Sequence, residues 1–210
     1  MQQTFEYYVV DPNTWKDVRK IDTVRSCTIS WDWESSTLST ATFNITESLG
    51  ECYLRIYLIT VQNGIREKHP LGTYIVQTPT TVFNGKVRDV TTDAYSPLLE
   101  LKENPPPYGY SILKDSNIMD DAYVLTQEHV RAPVVRTECD IAICYDFISD
   151  SEDTWLSFLT DYISNANYLY SLDEMGRILF APKQETASLQ PVWAYTDDNS
   201  SILQPSVTVD

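Results

Sequence analysis

The sequence predicts a β-rich α+β fold: consecutive antiparallel strands, closed as a barrel or stacked as a sandwich, with a small α+β unit after them. Three observations predict it. Strand formers dominate the first 95 residues, where Asn63-Gly64 and Asn84-Gly85 mark two tight hairpins. Near Tyr95 the apolar period changes from strand-like alternation to three- and four-residue spacing. From about residue 192 the composition becomes strand-like again.

Taken in order, residues 4–10 (TFEYYVV), 24–33 (VRSCTISWDW) and 40–45 (TATFNI) read as strands. Residues 53–61 (YLRIYLITV) run into Asn63-Gly64, and 71–77 (LGTYIVQ) follow after a polar stretch. Residues 80–83 lead into Asn84-Gly85, and 86–95 (KVRDVTTDAY) leave it. Each Asn-Gly pair supplies the positive φ angles that primed turns require. Strands of this length, joined this tightly, curl or stack to hide one face. Residues 96–102 suit a short helix with Pro97 in its first turn. Pro105-Pro106-Pro107 stops that helix and stiffens a connector; the other reading is a motif for a proline-binding partner.

Residues 117–130 read as a second helix with Asn117 as N-cap and Ile118, Ala122 and Leu125 on one face. Asp120 and Asp121 suit its first turn electrostatically. As neighbours on a helix they point apart, which argues against a catalytic carboxylate pair. Residues 149–166 give the clearest helix signal: a capping box from Ser149 and Glu152, then Trp155, Phe158, Leu159, Tyr162, Ile163 and Ala166. The acids Asp150, Glu152 and Asp153 fit the helix dipole better than a metal site, with no His or glycine loop beside them. Residues 168–172 and 177–181 form a hairpin around 173–176, and 192–196 and 201–209 read as strands. If these last strands rejoin the first sheet, the intervening α+β unit is an insertion.

Composition limits the function classes. The chain of 210 residues carries 15 basic and 30 acidic side chains, a net charge of −15. Residues 1–110 hold 10 basic and 13 acidic groups, and residues 111–210 hold 5 and 17. Such a surface repels phosphate and disfavours gripping nucleic acid or anionic lipid. No apolar run approaches the length of a membrane span, and no signal peptide is read at Met1-Gln2-Gln3-Thr4. Cys27, Cys52, Cys139 and Cys144 form no C-x-x-C pair and read as small buried hydrophobes in a reducing compartment.

Recognisable catalytic patterns are missing. There is no phosphate loop, G-x-G-x-x-G, H-E-x-x-H or G-x-S-x-G. Only His69 and His129 could serve a Cys–His–Asp triad. His69 falls in the polar stretch beside Pro70, and His129 near a helix end. The reading is of a non-enzyme with no catalytic, cofactor or metal residues; carboxylate pairs of the glycosidase kind are too common among 30 acids to be informative. Fourteen Tyr and five Trp exceed the needs of a routine core. Trp31 and Trp33, on one face of a predicted strand, suit either an interface or a sugar-stacking platform.

Three stretches resemble one family, the hub proteins of phage tails and related contractile injection systems. Residues 71–104 (LGTYIVQTPTTVFNGKVRDVTTDAYSPLLELKEN) are similar to the hub segment where barrel strands run into a short helix. Residues 131–135 (RAPVV) and 151–183 resemble the family's inserted α+β domain. Residues 199–210 (NSSILQPSVTVD) resemble its return to the barrel. The resemblance implies a tail-tube-like antiparallel β-barrel over residues 1–111 plus 190–210, with an inserted α+β domain over 112–189. It implies a non-enzymatic ring, trimer or hexamer, whose partners are the tail tube, distal tail proteins and a spike or tip protein. DNA would pass through without specific binding. Assembly in the host cytoplasm and residence in the virion, at the tail tip or baseplate, follow from the same resemblance. Similar hubs continue into a second barrel, so the end at Val209-Asp210 suggests an N-terminal piece of a longer protein.

Overall fold

The computed structural model describes residues 2–47, 49–77, 80–83, 88–184 and 189. Eight strands form one antiparallel sheet: β1 (Gln2–Val10), β2 (Asp17–Ile21), β3 (Val24–Trp31), β4 (Ser39–Ile45), β5 (Cys52–Gln62), β6 (Ile65–Val76), β7 (Thr80–Phe83) and β8 (Arg88–Tyr95). Their order is β2-β1-β5-β6-β8-β4-β3, with β7 paired to β8. The sheet curls. Ile21 near one end and Cys27 and Ile29 near the other pack on the same core as Phe43, Ile45, Leu54, Ile56 and Tyr74. Both ends of an open path reach one interior only if the sheet bends round it.

The fold is thus the predicted β-rich α+β class. Asn63 and Gly64 take φ of 53° and 81°, the backbone a primed turn demands, and join β5 to β6 with Gln62 opposite Ile65. Residues 84–87 lie outside the described residues; on either side of them Phe83 pairs with Arg88 as a hairpin requires. Two strand predictions change. Residues 65–70, read as a polar loop containing His69, are the first half of β6. Four of these six side chains, Arg66 to His69, are polar because this half of the strand is solvent-facing, while residues 72–76 are buried. Strand β2 was invisible in the sequence, since only Ile21 of DVRKI is buried.

Three helices, a two-stranded pair and one hairpin follow: α1 (Leu99–Glu103), β9 (Ser111–Ile112), α2 (Ile118–His129), β10 (Phe147–Ile148), which pairs with β9, α3 (Trp155–Ser164), and the hairpin of β11 (Tyr168–Leu172) and β12 (Ile178–Pro182). Asn117 caps α2 as predicted, its side chain accepting from the Met119 and Asp120 amides. Helix α3 starts later than predicted. Ser149 instead donates to the Pro107 carbonyl, and its amide bonds the Tyr110 carbonyl, which ties it to the connector. The capping box is made by Thr154 and Ser157, not by Ser149 and Glu152. The buried face of α3 is the predicted one: Trp155, Phe158, Leu159, Tyr162 and Ile163. Tyr110, Phe147 and Phe158 add ring contacts at 5.0–5.9 Å.

A second core joins these elements to the outer face of the sheet. Val10, Trp15, Tyr53 and Ile75 from the sheet side share it with Leu98, Met119, Leu159 and Tyr162. The predicted strands at 192–196 and 201–209, and the boundary near 189–190, lie at or beyond the edge of the described residues. None of the helices is long and apolar enough to cross a membrane among the described residues.

Candidate interaction site

Two features lie where the α+β unit meets the sheet. The first is a polar joint. The turn between β11 and β12 presents the Met175 carbonyl to three donors: Thr73 Oγ1 at 2.8 Å, Trp15 Nε1 at 2.9 Å and Arg55 at 3.2 Å. Arg55, 1% exposed, also bonds Thr73 Oγ1 at 2.8 Å, the Trp15 carbonyl at 3.3 Å and Asp17 at 3.0 Å. A buried guanidinium survives only with such a full set of acceptors. Asp17 in turn holds Tyr57 at 2.8 Å and Lys68 at 3.4 Å. Lys68 lies over the rings of Tyr57 and Tyr8 at 3.6 and 4.0 Å.

The second feature is a cavity of about 470 Å³ between the β4–β5 connection, the end of β6, α1 and the C-terminal end of α2. Glu51, Glu100, Glu103 and Glu128 line it, against one arginine, Arg131. Arg131 bonds Glu100 at 2.7 Å and Glu51 at 3.0 Å, and its amide bonds Glu100 at 2.8 Å. Glu103 accepts from Gln77 at 2.7 Å. His129, also on the wall, stacks on Trp155 with centroids 4.2 Å apart and 23° between planes. Burial holds the His129 ring below its ordinary pKa, so it adds no charge at neutral pH.

The structure disperses the residues the sequence offered for catalysis. Asp120 pairs with Arg136 at 2.6 Å, whereas Asp121 accepts from Tyr162 at 3.1 Å, so the two carboxylates diverge. Asp153 closes a turn with the Asp150 amide and Ser157. His69 contacts Thr60 at 3.3 Å on β6, while His129 is on α2. Burial pushes the Cys27 thiol up to about 12 and Cys52 to about 11, so both are protonated at neutral pH. All four cysteines are free. No group of three or more His, Cys, Asp or Glu that could hold a metal occurs among the described residues.

The tryptophans separate into two sets. Trp15 and Trp155 are buried, and Trp193 lies outside the described residues. Trp31 is 45% and Trp33 77% exposed. They do not share one strand as expected: β3 ends at Trp31, and Trp33 sits in the turn that Asp32 organises by accepting the Glu34 and Ser35 amides. Sequence reasoning missed the joint altogether. Its one sequence signal is Arg55, a charge inside the apolar run YLRIYL.

No known family model matches the sequence, and no curated protein matches it either. Solved structures do match. A tail protein from Neisseria meningitidis MC58 superposes with a TM-score of 0.62 at 16% identity, over 94% of this chain and 57% of that one. The 43 kDa tail protein of prophage MuSo2 from Shewanella oneidensis gives 0.58 at 8% identity, over 89% and 57%. A chain of the Francisella PdpA-VgrG complex gives 0.50 at 15% identity, over 93% and 30%. The chain therefore spans little more than half the length of the first two neighbours. At these identities the likeness is one of fold, a fold this chain shares with those two tail proteins.

Proposed function

We propose that this chain is a non-enzymatic structural protein of a phage tail or related contractile injection system, and within it the hub that joins the tail tube to the baseplate, tip and spike. The observation that carries the reading is the fold likeness to two tail proteins, one of them from a prophage, over 94% and 89% of the chain, sheet and α+β unit together. The likeness to a chain of the PdpA-VgrG complex supports a place in an assembly of unlike proteins. In this reading the chain forms a ring, trimer or hexamer, bound to tail-tube and distal-tail proteins on one side and to a spike or tip protein on the other. The net charge of −15 suits a conduit that must pass DNA without holding it.

Light scattering over a range of concentrations, with negative-stain images of the same sample, tests the assembly. Rings of three or six copies of the full-length protein are expected. A full-length monomer with no affinity for tail proteins would overturn the reading. The exposure of Trp31 and Trp33 keeps one second reading in play, a carbohydrate-binding module for the host envelope. Glycan arrays decide it: binding lost on Trp33→Ala, with the melting temperature unchanged, would favour that module over the hub.

A further inference from the structure

We propose that Pro105–Tyr108 is a docking segment for a partner protein whose groove is lined with aromatic side chains. The backbone is the first observation. A residue before proline is driven out of the helical region, and proline fixes its own φ at about −65°. Asn104, Pro105 and Pro106 each precede a proline, so the run is held as polyproline II. Asn104 enters it extended, with φ of −111° and ψ of 122°. At the other end the Tyr110 amide bonds the Pro107 carbonyl at 2.9 Å, and Gly109 has φ of 69°. Those are the marks of a type II turn, whose second residue, here Tyr108, stays in the same extended region.

The second observation is how the segment is held. Its ends are pinned and its middle is free. The Trp155 amide bonds the Asn104 carbonyl at 2.8 Å, and the Ser149 hydroxyl donates to the Pro107 carbonyl at 3.2 Å. Between them the Pro105 and Pro106 carbonyls have no partner among the described residues. Polyproline II makes no internal hydrogen bonds, so both are acceptors for an incoming donor. The cost of ordering the segment is already met by folding, which favours it as a ligand.

The third observation is which side faces out. With three residues per turn the run has three edges. Pro106 is buried and takes one edge into the protein. Pro105 and Tyr108 share the second edge and Pro107 has the third, all of them exposed. A groove touches two edges of such a helix, and two are available here. Tyr108 is 89% exposed, the most of any large apolar side chain described. Beside it, Ile148 precedes the Ser149 that holds Pro107, and Ile148 and Leu113 lie exposed on the face of the β9–β10 pair opposite to buried Ile112. An apolar patch of this kind marks a protein partner. Aromatic rings suit it: they pack flat on proline, and Trp and Tyr bring the donors that the free carbonyls lack.

The partner's being another tail protein rests on the function proposed above; the segment's preference for an aromatic groove does not. The test therefore uses probes that need no assembly: an isolated WW domain and an isolated SH3 domain, two folds with such grooves, each titrated into the full chain and followed by amide chemical shifts. At least one should shift Tyr108, Gly109 and residues 147–149 saturably, and should cease to do so when its groove aromatics are replaced by alanine. Tyr108→Ala should weaken binding about tenfold with the melting temperature unchanged. Trp33→Ala, which removes another exposed ring on the β3–β4 turn, should leave binding as it was. No saturable shift with either domain, shifts centred away from the segment, or equal weakening by Trp33→Ala and Tyr108→Ala would overturn the proposal. Binding by a chain that forms no ring would overturn the hub and leave the docking segment standing; rings without binding would do the reverse.

Discussion

Trp15 shows how far local sequence can mislead. Its φ of 55° is rare for a bulky residue, and nothing in DPNTWKD announces it. The loop holds it there because Asp11 accepts from the Asn13 amide, the Thr14 hydroxyl and the Trp15 amide, and its own amide closes on the Lys16 carbonyl. The result aims the indole N–H at Met175, 160 residues away. Asn117 and Asn63-Gly64 were legible because their partners lie within three residues; the joint was not, because its partners are distant. Arg55→Met tests it. The substitution leaves Asp17 with Lys68 and Tyr57, so the loss should be about 2–4 kcal/mol rather than the most severe values for a broken buried pair. A urea midpoint measures it. Arg136→Met, which breaks the exposed pair with Asp120 and a 6.0 Å approach to the Tyr123 ring, should leave the stability within about 1 kcal/mol of where it was.

Among the elements, those with a buried stripe read true and those with a mixed one did not. Helix α3 and strand β5 bury most of their apolar residues, and periodicity found both. Strand β2 and the outer half of β6 face solvent, so their pairing is set by backbone register that composition does not record. The start of α3 failed for another reason: Ser149 and Asp150 had partners outside the helix that outcompeted the cap. The β11–β12 hairpin was legible, but its role in docking was not. Gly176 carries that role. It has φ of 73°, and a Cβ there would lie 2.6 Å from Thr73 Cβ, on the strand that holds the joint. Gly176→Ala should therefore lower stability by about 2–4 kcal/mol, combining left-handed strain with displacement of Thr73. Gly64→Ala, at φ of 81° with open space around it, should show the strain alone, about 1–2 kcal/mol. Equal losses in thermal melts would mean that Gly176 is only a turn residue and not a docking point.

For the whole molecule, the second core decides whether the α+β unit is a domain in the energetic sense. The composition shift near Tyr95 reads as a boundary, and the secondary structure does change there. Yet Val10, Trp15, Tyr53 and Ile75 belong to the same buried cluster as Met119, Trp155, Leu159 and Tyr162. Pulling the unit away would expose those sheet residues and strip Arg55 of an acceptor, Met175. Separate folding requires each part to hide all of its apolar surface; the sheet encloses a core of its own, but each part leaves apolar side chains that only the other covers. Unfolding in urea should therefore be a single transition. Tryptophan fluorescence and far-UV circular dichroism should give the same midpoint, since Trp15 and Trp155 report from the two sides of one core. Two resolved transitions would show that the seam opens before either part melts. The distinction matters for assembly: a rigid seam presents the cavity wall, built from both parts, as one surface, whereas an opening seam would pull the four glutamates apart.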